Sequence, residues 1–167
     1  MLRLLGLAAV IALGGCGQTV SPEEKKQRDA ADVAAVEAMQ KIVPPIKPLA
    51  LQAITLEEIT AKNLSGAGCS FSTTTAAQPI VLALVGRAVI KQDDHIDLLI
   101  SDNGGAKLEA GAWEHYVGKD NTLTLKRTPG DGTPGVAVST QYAGELIVRD
   151  AWERIVYSAR GTINCGA

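Results

Sequence analysis

Two histidines and three cysteines are the residues with the most chemistry to offer in this chain of 167 residues. Asp93-Asp94-His95 groups two carboxylates with an imidazole, the residue types of a metal site or of acid–base catalysis. Consecutive side chains at a hairpin turn diverge, however, and no second His or Cys is spaced to complete a ligand set, so the trio reads as a polar turn. His115 would need an activated nucleophile beside it, and no Gly-x-Ser-x-Gly motif is present. It shares an alternating stretch with Trp113 and Val117 and is expected as a partly buried, hydrogen-bonded side chain. Asp120, Asp131 and Asp150 fall among turn-forming residues, where Asp bonds its own backbone. Asp102-Asn103 and Asp120-Asn121 supply too few oxygens for Ca²⁺. No catalytic residue, metal or cofactor is expected.

Cys16 differs from the other cysteines in its surroundings. Arg3 opens the chain, Leu4 to Leu13 form an uncharged apolar run, and Gly14 and Gly15 precede the cysteine. These are the parts of a secretory leader. The run of about ten residues is too short for a membrane-spanning helix, which needs roughly 20. Leu13-Gly14-Gly15-Cys16 resembles the lipobox of bacterial lipoproteins. That resemblance implies that residues 1–15 are removed as a signal peptide and that Cys16 takes a diacylglyceryl group. Acylation of the new amino terminus, for example with palmitate, then completes the anchor. Two or three chains, at about 0.8 kcal/mol per buried CH₂, hold stably where one binds marginally. Gly17 stands where an Asp would signal retention at the inner membrane. The resemblance therefore implies the inner leaflet of the outer membrane, with the domain facing the periplasm. The other reading is an ordinary secretion signal followed by an incidental cysteine.

With Cys16 given to lipid, Cys69 and Cys165 remain. An even pair in an oxidising compartment is expected to form a disulfide, and the alternative is two free thiols. The bond would close a loop of nearly a hundred residues, worth about 4–5 kcal/mol in the chain-entropy view. It would also tie the first strand of the domain to its last.

After loss of Arg3, 18 acidic residues face 15 basic ones. This mild acidity disfavours nucleic acid as a partner. Aromatics make up 4%, too few for a stacking platform. The candidate contact residues for a protein partner are Trp113, Tyr116, Lys119 and Trp152, the last placed on a turn between Asp150 and Arg154.

The elements that must position these residues fall into two parts. Residues 16–48 read as a lipidated tether. A helix over 18–41 starts at the N-cap Ser21, with Pro22 at its first position and Glu24 completing a capping box. Val33, Val36, Met39 (or Gln40) and Val43 mark a thin apolar stripe, and Pro44, Pro45 and Pro48 give a stiff linker. Residues 49–167 read as a β domain. Thr55 caps a short helix over 56–61, with Glu58 three residues on.

Strands are then expected over 69–73, 80–85, 87–91, 96–101, 107–108, 112–117, 122–127, 136–142, 145–149, 155–160 and 163–165, some of them continuous. Ile80 to Val85 is uninterruptedly apolar, as in a strand buried on both faces. Leu123 and Leu125 point inward along an alternating stretch, and Asp102-Asn103-Gly104-Gly105 signals a hairpin. Residues 128–135 form an exposed loop. The fold class is mainly β: a small antiparallel barrel or sandwich of seven to nine strands, preceded by a tether helix.

Two further resemblances bear on the domain. Gly66-Ala67-Gly68-Cys69-Ser70-Phe71 and Gly161 to Ala167 are similar to the paired ends of small uncharacterised proteobacterial envelope lipoproteins, which implies architecture only. Ala110-Gly111-Ala112-Trp113, with Tyr116 and Gly118-Lys119 following, is similar to the loop region of membrane-bound inhibitors of c-type lysozyme. Ala110 replaces the serine of that motif, Tyr116 is displaced and Gly118-Lys119 is inverted. The sequence thus leads to a non-catalytic binding or envelope-structural lipoprotein, with lysozyme inhibition as the alternative.

Overall fold

The computed structural model describes residues 21–40, 43–74, 78–135 and 137–166. The segment expected as a leader, and Cys16, lie outside the described residues. The chain divides into two compact units at Pro44 and Pro45. The first holds helix α1, Pro22–Gln40. The expected capping box is present: the Ser21 hydroxyl accepts from the Glu24 amide at 3.2 Å, and the Ser21 amide donates to the Glu24 carboxylate at 3.1 Å. The stripe residues Val33, Val36 and Met39 are exposed.

The second unit opens with a strap and helix α2, Leu56–Ala61, then nine strands. They are β1 Gly68–Ser72, β2 Val81–Leu84, β3 Arg87–Gln92, β4 His95–Ser101 and β5 His115–Val117. β6 Asn121–Arg127, β7 Thr133–Pro134, β8 Ser139–Asp150 and β9 Ile155–Gly166 follow. Every pairing is antiparallel. Strands β1 to β6 pair in sequence, β6 pairs with β8, β8 with β9, and β9 returns to β1. This closes an eight-stranded barrel, and β7 adds to β8 as an extra strand. Barrel rather than sandwich is the outcome, and closure removes the free sheet edges that a sandwich keeps.

Alternation fills the interior, as a barrel of this strand number allows. Phe71, Val81, Ile90, Leu99, Tyr116, Leu146, Val148 and Ile163 are buried there, with Leu123 and Leu125 inward as their pattern predicts. The unbroken run at β2 has a separate cause. Leu82 and Leu84 point outward, and with Val89 they are covered by Ile54, Ile59 and Leu64 around α2. A helix laid on the outer wall buries that face too. Thr55 caps α2: its hydroxyl accepts from the Glu58 amide, and its amide donates to the Glu58 carboxylate at 2.9 Å. Lys91 Nζ, 2.7 Å from Glu58 Oε1, pins α2 to β3.

The strap crosses one mouth of the barrel. The amides of Leu49, Gln52 and Ile54 donate to the carbonyls of Val156, Lys91 and Pro79 in turn. Leu49 and Leu51 pack against the interior.

Two gaps between the strand segments read from the sequence are spanned in the structure. β8 runs through Gly144 and β9 through Gly161, each strand continuous for 12 residues. The two glycines are directly opposed, Gly144 to Gly161. A Cβ on Gly161 would lie 2.2 Å from the Ser72 carbonyl oxygen, and one on Gly144 would lie 2.3 Å from Ile163 Cδ1. Here glycine permits close approach and does not end a strand.

Candidate functional site

The barrel mouth opposite the strap is closed by the long connection between β4 and β5. Asp102 opens it with a local turn, its carboxylate accepting from the Gly104 amide at 3.0 Å. A 3₁₀ turn, Glu109–Gly111, then carries the chain inward, and Ala112 is fully buried. Only an isolated bridge, Lys107 to Trp113, remains of the strand pairing expected before β5. β5 itself is three residues long, because Ala112 and Trp113 are used to close the mouth.

Tyr116 fastens this closure from beneath. Its hydroxyl accepts from the Trp113 amide at 2.8 Å and donates to the Leu84 carbonyl at 3.2 Å. Burial pushes the phenol upward from its ordinary range. At 0% exposure Tyr116 is a core residue, which corrects its place among the surface contacts. The reason is alternation along β5, which turns His115 and Val117 outward and Tyr116 inward. His115 is exposed where a partly buried side chain was expected, with Nδ1 3.1 Å from the Thr124 hydroxyl of the paired strand. Trp113 is half-buried, with Lys107 Nζ 4.8 Å from its ring centre. Lys119 is exposed on the turn between β5 and β6.

A second fastening joins residues that no sequence pattern links. Glu109 accepts from the Tyr142 hydroxyl and lies 3.2 Å from Arg127 Nη1. The Arg127 guanidinium stacks 4.5 Å from the centre of the Tyr142 ring. The hydrogen bond to the Glu109 carboxylate, with burial behind it, raises the Tyr142 phenol above its ordinary range. Glu109, Arg127 and Tyr142 come from three elements that only the closed barrel brings together. Nearby, Cys69 and Cys165 are partners in the β1–β9 register, with sulfurs 2.02 Å apart, the distance of a disulfide. These groups all hold the mouth shut.

The turn carboxylates have local work. Asp93 and Asp94 take positive φ angles, 47° and 60°, in the two-residue connection from β3 to β4. Asp94 bonds Gln52 of the strap through both its amide and its carboxylate. His95 is the first, exposed residue of β4. Among the described residues no group of three or more His, Cys, Asp or Glu side chains is placed to hold a metal ion.

Trp152 is displayed at the tip of the β8–β9 hairpin, 49% exposed. Asp150 builds that tip. One of its oxygens accepts from the Trp152 and Arg154 amides, and the other pairs with Arg154 at 2.6 Å. The Arg154 guanidinium lies 5.2 Å from the indole centre. Arg154 holds the Asp150 carboxyl below its ordinary value. Sequence reasoning singled out Trp152 but had no means of seeing how rigidly the turn carries it.

Outside the barrel, Leu98, Ile100 and Val117 are 56%, 65% and 50% exposed, and Ile100 faces Val117 across the β4–β5 pair. A groove of about 280 Å³ runs along the outer wall past Leu64, Leu82, Leu84, Val138 and Asn164. Comparison with protein-family models, with curated proteins and with solved structures returns no match for this chain.

Proposed function

We propose that this chain is a lipid-anchored periplasmic lipoprotein, a non-catalytic binding or envelope-structural module held through Cys16 at the inner leaflet of the outer membrane. The observation that carries the binding part is the division of apolar residues. The barrel interior is occupied by its own side chains, while Leu98, Ile100, Val117 and Trp152 are displayed outside. Leu98, Ile100 and Val117 adjoin on the β4–β5 pair, and contiguous exposed apolar side chains of this kind mark interaction surfaces. A filled lumen leaves the outer surface as the part that can meet a partner. Disulfide spacing at Cys69 and Cys165 suits an oxidising compartment. The leader pattern ahead of Cys16 supplies the anchor. The segment Ala110 to Trp113, on which the likeness to lysozyme inhibitors rests, folds into the barrel mouth, so nothing in its placement favours a loop that enters an enzyme cleft.

Crosslinking in intact envelopes, followed by recovery of the anchored protein, tests the module. A specific envelope protein is expected in the recovered material, and its consistent absence would sink the binding reading. Cys16→Ser tests the anchor: the protein is expected to leave the membrane fraction or to accumulate with its leader uncleaved. Membrane retention at the normal mature size would refute lipidation.

A further inference from the structure

We infer that the β8–β9 hairpin tip, led by Trp152, is a membrane-contact surface that seats in the headgroup region of the bilayer to which the chain is anchored. This rests on the lipoprotein reading above. The argument begins with where the anchoring segment meets the barrel. The strap first bonds the barrel at Leu49, whose amide donates to the Val156 carbonyl at 2.9 Å. Val156 is the second residue of β9, four residues beyond Trp152. The chain coming from Cys16 therefore reaches the barrel beside this hairpin. Exposed Ile46 and Lys47 lie on the strap just before that point, and Ile155, 49% exposed, lies just after the tip. An indole, two aliphatic side chains and an ammonium form the composition that settles at a lipid–water interface.

The tip is built to present its indole. Asp150 accepts from two backbone amides of the turn and pairs with Arg154, which in turn packs against the Trp152 ring. The ring is thus held half-exposed in a fixed turn, so little further ordering is needed on contact. Only 32 residues, 17 to 48, separate the lipidated cysteine from Leu49, where the strap first bonds the barrel. Tethering at that length makes the contact intramolecular, and a surface of three or four side chains, too weak to recruit a free protein, becomes occupied.

The test uses full-length acylated protein reconstituted into phosphatidylethanolamine–phosphatidylglycerol vesicles. Trp113→Phe isolates the emission of Trp152. Should that variant fold poorly, Trp152→Phe subtracted from the unaltered protein gives the same signal. On reconstitution, Trp152 emission is expected to shift to the blue and to lose its quenching by iodide. Lipids brominated near the glycerol end of their acyl chains are expected to quench it, and Trp113 to stay unchanged. Full iodide access of Trp152 in vesicles that carry the acylated protein overturns the inference and leaves the anchor standing. Absence of acyl mass on Cys16 overturns both. Iodide protection that rises with protein concentration without lipid assigns the tip to a second copy of the chain and likewise overturns it.

Discussion

Glu58 Oε1 and Lys91 Nζ stand 2.7 Å apart, joining the first turn of α2 to the end of β3. The Lys91 ammonium, and after it the Thr55 amide, lowers the Glu58 carboxyl from 4.5 to about 2. Between those two values the unfolded chain binds a proton that the folded chain refuses. The contribution to stability is therefore complete above pH 4.5 and lost as pH falls toward 2. Lys91 is raised by Glu58, so its share is complete below pH 10.5 and lost as pH rises beyond. Thermal unfolding midpoints are expected to fall through the acid window in the parent protein, and less steeply in Glu58→Gln. Equal slopes in the two proteins would remove this pair as the source.

Cys69 and Cys165 lie 96 residues apart in sequence, opposite each other on strands already paired. Their link adds little to the folded geometry and acts chiefly by restricting the unfolded chain. Replacing both with Ala is expected to cost about 2–5 kcal/mol while the barrel is retained. Denaturant titration with circular dichroism measures both quantities, and an unchanged midpoint would contradict the expectation.

Tyr116 carries a buried hydroxyl between the Trp113 amide and the Leu84 carbonyl. Tyr116→Phe keeps the ring and leaves the Trp113 N–H without that partner. A loss of about 1–3 kcal/mol is expected. Amide exchange should quicken first around Ala112 and Trp113, and uniform quickening across the barrel would argue against a local fastening.

Gly161 is predicted to resist substitution although it sits inside a strand. A Cβ there would lie 2.2 Å from the Ser72 carbonyl oxygen and 2.8 Å from Phe71 Cζ. Gly161→Ala should destabilise by about 1–3 kcal/mol through overpacking, where an ordinary strand glycine gains from alanine. A stabilised Gly161→Ala protein, measured by thermal unfolding, would show that β1 and β9 are not held this tightly.

Much of the β architecture can be read from local patterns. The alternation at Leu123 and Leu125, the Asp93-Asp94 turn and the capping boxes at Ser21 and Thr55 depend on residues close together in sequence. The Glu109, Arg127 and Tyr142 cluster had no such signal. Its members are 18 and 15 residues apart, at no helical or strand period, and meet only because β6 and β8 pair and the β4–β5 connection folds over their ends. Tyr116 was misplaced for a related reason. An aromatic between exposed neighbours looks the same in sequence whichever face of its strand is covered.

By itself, the sequence determined the strand-rich class, the two helix starts and the pairing of Cys69 with Cys165 as an expectation, since each rests on residue type, short-range spacing or counting. Tertiary structure alone decided that the sheet closes into a barrel, because β6–β8 and β1–β9 contacts join residues far apart in the chain. It likewise decided that Gly144 and Gly161 continue their strands, since whether a glycine breaks or permits packing depends on what lies across from it.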